Sequence, residues 1–245
     1  MSSTYTEQPN FIFNQGLFEQ SSTQKHRIGT IRELADGRKY AYAKAGATLV
    51  SGQVNQAAVP DTYAPNCAIQ AVASIGDKHI HITYGAGARA TANYFRDGYL
   101  AITMPAYGVG LMYKIRGHVA MTSGLAVQVD LYDTVLEALA VTSKCTLTKH
   151  PQDSVIQGVI TSHTGVTTGV NPIDVADTYY FWNQVKGVCN CLCNGTWVVS
   201  DALTPGGVAG AIMPWATTSQ PIVAHAMVVP TDTYGGLCQL CIPGY

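Results

Sequence analysis

The sequence predicts a mainly β protein of antiparallel sandwich or barrel domains, with an extended N-terminal arm and few short helices. Three observations carry that prediction. Apolar and polar residues alternate at period two in one segment after another from Gly76 onward. Gly, Pro, Asn and Asp separate those segments, as turns require. Helical periodicity is confined to two short stretches.

The arm comes first. Residues 1–28 hold no sustained period, yet carry Phe11, Ile12, Phe13, Leu17 and Phe18 among polar neighbours. This pattern reads as a mobile segment with apolar anchors. Phe11, Phe13 and Phe18 are the candidate partner-binding residues.

The strands follow. In KHIHITYG (78–85), Ile80, Ile82 and Tyr84 share one face; in LAVQVDLY (125–132), Leu125, Val127, Val129 and Leu131 face one way while Gln128 and Asp130 face the other. Such alternation buries one face only. Further strands are expected at 98–104, 111–119, 154–160, 178–185, 186–193, 196–200, 224–229 and 236–242. The helix candidates are TVLEALA, with Thr134 and Glu137 at capping-box spacing, and the Ala-rich stretch 41–50. His150-Pro151 reads as a domain boundary, because proline holds its predecessor extended and the strand signal restarts beyond it. The expected division is an arm at 1–28, one β domain at 29–150 and a second at 151–245.

Composition narrows the function. The chain has 245 residues, 14 basic and 15 acidic, for a net charge of -1. A balanced total argues against a nucleic-acid partner. Charged residues are 12% of the chain, against about 25% in an average globular protein, which suggests surface covered by other chains. The sequence has no apolar run of membrane-spanning length and no signal-peptide pattern at its start, so neither membrane insertion nor export is expected. Seven cysteines, an odd number, suit free thiols in a reducing compartment.

Four constellations could carry chemistry. In GVCNCLCNGTWVVSD (187–201), Asn194-Gly195 predicts a type I′ hairpin that sets Cys191 opposite Val198 and Cys189 opposite Ser200. Same-face strand positions lie about 6.7 Å apart, whereas sulfurs on one zinc lie within roughly 4 Å, so Cys189, Cys191 and Cys193 read as core residues. Cys238 and Cys241 form a C-x-x-C without a second pair, and the stretch reads equally as a closing strand with Cys238, Leu240 and Ile242 on one face. His79 and His81 form an H-x-H, the pattern a metal-dependent barrel enzyme would use, but no carboxylate or third ligand motif accompanies them. The pairs Asp130/Asp133 and Asp174/Asp177 fit strand ends and turns. No catalytic residue, metal site or cofactor is therefore expected, and the chain reads as a non-enzyme.

One stretch is specific enough to suggest a family. GTIRELADGRKYAYAKAGATLVSGQV (29–54), with Asp36-Gly37-Arg38 followed by Tyr42-Ala43-Lys44-Ala45-Gly46-Ala47, resembles an N-terminal motif of auxiliary head proteins of tailed bacteriophages, the decoration or cement class. The stretches 108–118, 131–139 and 179–187 resemble later blocks of the same group. The resemblance implies a β-rich structural virion protein, assembled in the host cytoplasm, that binds the outer capsid surface and stabilises it. Its implied partners are the major capsid protein and copies of itself in a symmetric multimer such as a trimer. The arm at 1–28 lies outside the match, and its Phe anchors would fill pockets on a neighbouring chain. Deleting residues 1–20 is then expected to weaken capsid binding without unfolding the domains. The alternative is a tail- or fibre-associated module that holds a receptor or glycan with Tyr and Trp.

Overall fold

A computed structural model describes residues 13–85, 89–104, 110–158, 164–216 and 220–245. Its strands, in chain order, are β1 (Ile31–Glu33), β2 (Lys39–Lys44), β3 (Val54–Gln56), β4 (Cys67–Ile69), β5 (His79–Thr83), β6 (Arg89–Ala90), β7 (Tyr99–Met104), β8 (Met112–His118) and β9 (Met121–Thr122). They continue with β10 (Ala126–Leu131), β11 (Lys144–Thr148), β12 (Ile156–Gln157), β13 (Thr167–Val170), β14 (Tyr180–Leu192), β15 (Ala202–Pro205), β16 (Ile212–Pro214), β17 (Ala224–Ala226) and β18 (Gly235–Cys241). Among the described residues there is no helix, and all named strand pairs are antiparallel.

The chain forms two compact units, one from residues 1–59 with 151–245 and the other from 60–150. This differs from the expected split into 29–150 and 151–245. The crossing at His150-Pro151 coincides with the proline read from the sequence, and a second crossing falls at Val59-Pro60. Residues 29–59 leave the first domain because β2 pairs with β14 from Tyr180↔Lys44 to Lys186↔Lys39, and β3 pairs with β12 and β13.

The 60–150 unit is built on a closed barrel in the order β10-β5-β4-β11-β7-β8. Its two clearest period-two strands are neighbours, with Val127 opposite Ile82 and Val129 opposite Ile80, all four buried. Leu125 lies outside β10 and is exposed. Cys67 and Cys145 face each other across β4 and β11 inside the same core. Each fully buried side chain of this size contributes about 1.5–3 kcal/mol, so the interior favours barrel closure.

TVLEALA is not a helix. Val135 and Leu139 are buried and donate main-chain hydrogen bonds to Asp77 and Ala73, while Leu136 is exposed. Pairing with the 73–77 loop satisfies the backbone that a short helix would have satisfied internally. The Ala-rich stretch at 41–50 is likewise extended at its start. Ala41 and Ala43 pack on one face of β2 and Tyr40 and Tyr42 on the other, all buried.

The other unit carries a ten-stranded antiparallel sheet, ordered β12-β3-β13-β14-β18-β17-β15-β16 with β2 and β1 beside β14. The two strands expected at 178–185 and 186–193 are one 13-residue strand, β14. A register shift between Gln184 and Lys186, followed by Gly187 at φ 90°, lets β14 pair with β2 along its first half and with β18 along its second. The stretch 196–200 is not a strand.

Candidate functional site

Of the three anchor residues, Phe11 lies outside the described residues. Phe13 is half-buried on its own unit, where it meets Trp182 edge-on with ring centroids 5.2 Å apart and lies 4.7 Å beneath the Arg32 guanidinium. Buried Gln15 explains why the chain runs there. Its carbonyl accepts from Trp182 Nε1 and Arg32 Nη1, both at 3.2 Å, and its side chain accepts from Tyr42 Oη at 2.8 Å and donates to Tyr180 O at 2.9 Å. Residues 13–28 are thus part of the domain, and removing residues 1–20 would strip the partners of two buried aromatics. Phe18 is 61% exposed.

Phe18 stands on the rim of a cavity of about 470 Å³ within this unit. One wall is β2 with the turn before it, supplying Arg38 and Tyr40; the second is β14, supplying Gln184, Val188, Cys189 and Asn190. Ser51, Gly52, Val170 and Pro172 form the third, and Leu237 of β18 completes the rim. Arg38 Nε donates to Asp36 Oδ2 at 2.7 Å and Nη1 to Tyr40 Oη at 3.3 Å. Burial raises the Tyr40 pKa, so the phenol is neutral at physiological pH.

Buried amides hold the third wall. Asn171 Nδ2 donates to Val50 O and Ile173 O, and Gly52 N donates to Asn171 O. Asn55 Nδ2 then links Asn171 Oδ1, at 3.0 Å, to Asn183 Oδ1, at 3.3 Å, and Asn183 Nδ2 donates to Gln152 Oε1 at 3.0 Å. All four amide side chains are fully buried. Sequence reading passed over them, since a lone Asn or Gln in a strand carries no signal until its partners from distant segments are known.

The cysteine stretch departs from expectation. Asn194-Gly195 does not close a hairpin: Gly195 has φ 77° but Asn194 is not in the left-handed region that a type I′ turn needs at both positions. Asn194 N donates instead to Ile212 O, and Gly195 N to Asp232 Oδ1. The strand beside the cysteines is β18, with Cys189 opposite Cys238 and Cys191 opposite Gly236. Cys191 Sγ lies 3.7 Å from Cys189 Sγ and 3.5 Å from Cys238 Sγ, much closer than the strand repeat, because the side chains lean together. Hydrogen bonding with the Cys189 thiol, to which Cys191 donates, and with the Cys238 thiol, then burial, push the Cys191 pKa well up. All three are buried, and Cys191 stays a protonated thiol. Cys238 is buried and Cys241 exposed, since positions three apart on a strand face opposite ways.

His79 and His81 sit half-exposed on β5, ring centroids 5.2 Å apart. Among the described residues no group of three His, Cys, Asp or Glu side chains is placed to hold a metal ion. Asp130 accepts from Gln128 Nε2, and Asp174 accepts from Ser51 N, which are surface and turn roles. Among the described residues no helix is long and apolar enough to cross a membrane.

No family model, no curated protein and no solved structure matches this chain.

Proposed function

We propose that this protein is a structural component of a phage head that binds the outer capsid surface and stabilises the shell, with the major capsid protein and copies of itself as partners. The observation that carries the reading is the motif at 29–54. Its residue types answer to demands of this fold. Asp36-Gly37-Arg38 closes the turn between β1 and β2, where Leu34 N donates to Arg38 O at 2.9 Å and Gly37 has φ 84°. Gly46 passes so near Ser154 that a Cβ there would sit 2.6 Å from its carbonyl oxygen.

Surface chemistry agrees with a chain that works among neighbours. Val188, Val198, Val199, Val229, Tyr234 and Leu237 are all exposed in one unit, and charge is 12% of the chain. Apolar surface of this kind suits contact with other chains. Cosedimentation of the purified full chain with purified capsids lacking it is the test. Saturable binding that raises the temperature of capsid disruption supports the proposal, and absence of binding counts against it.

A tail- or fibre-associated module is the second reading, favoured by exposed Tyr63, Tyr234 and Trp215. Position and copy number in the particle separate the two.

A further inference from the structure

On the barrel of the 60–150 unit, the side chains of His79 and His81 are uncommitted. His118, in the same unit, spends both ring nitrogens, on Phe95 N and Val119 O. Neither His79 nor His81 makes a side-chain hydrogen bond or an ion pair to any described residue, and their ring contact is with each other. Both are half-exposed on the outer face of β5, while Ile80 and Ile82 turn into the barrel core. Strand alternation thus delivers two imidazoles to one patch of surface.

Their spacing suits a shared ion. With zinc–nitrogen bonds of about 2.0 Å and each nitrogen about 1.2 Å from its ring centre, two imidazoles on one tetrahedral ion have centroids about 5 Å apart. The centroids of His79 and His81 are 5.2 Å apart, with the rings at 86° to each other. Rotation of the two side chains is all that convergence on one ion requires. On the neighbouring strand β10, Asp130 lies opposite His79 and Gln128 opposite His81. Asp130 Oδ1 accepts from Gln128 Nε2 at 2.7 Å and Oδ2 lies 3.8 Å from Arg116 Nη2, so this carboxylate is engaged and stands by as a negative charge, not a ligand.

The geometry points to a surface chelate for one divalent ion of the zinc class, held by one ring nitrogen each of His79 and His81, with water in the remaining positions. Imidazole nitrogen suits zinc, cobalt and nickel, whereas magnesium and calcium take oxygen ligands. The H-x-H pattern comes without a third protein ligand, and a two-imidazole chelate completed by water needs none. Tethering the second ring beside the first raises its effective concentration, which sets Kd on the order of 10 μM. The site does not depend on which assembly the protein joins.

The probes are zinc chloride and cobalt chloride, titrated separately into the nitrogen-labelled full chain near neutral pH with a phosphine keeping the thiols reduced. With zinc, the ring-nitrogen resonances of His79 and His81 are expected to move together and to saturate at one ion per chain. With cobalt, weak visible bands should appear without the near-ultraviolet band of a cobalt–thiolate bond. His79→Asn and His81→Asn should each weaken binding by about tenfold or more, since either one abolishes the chelate. Both variants should melt with the wild type when no metal is added, because each ring is half-exposed and has no hydrogen-bond partner to lose. No shift at millimolar zinc, a shift of one imidazole without the other, a cobalt–thiolate band, or a His variant that binds as the wild type does would each overturn the proposal.

Discussion

Cys191 Sγ lies 3.5 Å from Cys238 Sγ across two hydrogen-bonded strands, with Cys189 Sγ 3.7 Å away on its own strand. The three thiols are buried, and that of Cys191 is held protonated by its neighbours and by burial. Thiolate is the reactive form, so closeness alone does not make a reactive site. Of the seven cysteines only Cys241 is exposed. Labelling of the native protein with an aromatic disulfide reagent is expected to modify one thiol per chain quickly, with the others reacting only on unfolding. Fast reaction at Cys191 or Cys238 would show that this core opens readily.

The 60–150 unit is expected to lose stability in mild acid. His118 accepts from Phe95 N through Nε2 at 3.0 Å, so Nδ1 carries the proton and donates to Val119 O at 2.7 Å. Burial lowers its pKa despite the hydrogen bond to Val119. His150 is lowered to about 4, chiefly by burial and then by the Lys114 charge, with Asp97 opposing. Above pH 6.5 both states hold neutral imidazoles. As pH falls below that value the unfolded chain binds protons that the fold refuses, and the loss for His150 is complete near pH 4, on the order of 3 kcal/mol. Urea unfolding followed by tyrosine fluorescence between pH 7 and pH 4 measures it. His150→Gln should flatten the slope.

Asn183→Ala is expected to destabilise the other unit by about 2–4 kcal/mol, since it leaves Asn55 and Gln152 with unmet buried hydrogen bonds. Chemical denaturation reads the change. Asn183→Asp should be at least as damaging, because it brings a charge into a fully buried position.

Gly187→Ala is expected to cost about 1–3 kcal/mol and to displace Arg38. Its φ is 90°, and a Cβ would sit 2.9 Å from Arg38 Cγ and 3.0 Å from Arg38 Cα. Thermal unfolding reports the stability loss, and the Arg38 amide shift reports the displacement.

Local physics was legible where one face of a strand is buried: Ile80, Ile82, Val127 and Val129 declared their direction by alternation alone. Elsewhere the decisive partners are far apart in sequence. Residues 29–59 read as continuous with 60–150 because nothing local reveals that β2 lies against β14. Asn194-Gly195 carried a strong hairpin signal, but Asp232 and Ile212 capture the backbone that the turn would have used. Phe13 read as a free anchor since Trp182, its partner, lies more than a hundred residues away. The cavity is assembled from six separate stretches of chain, so its composition could not be read in advance.

The central proposal is that the protein coats a phage shell. The most direct test is a density map of the intact particle with this chain located in it and its copy number measured against the major capsid protein. The account predicts symmetric density on the outer shell and copies in the hundreds. A few copies confined to the tail, or none in the particle, would contradict it.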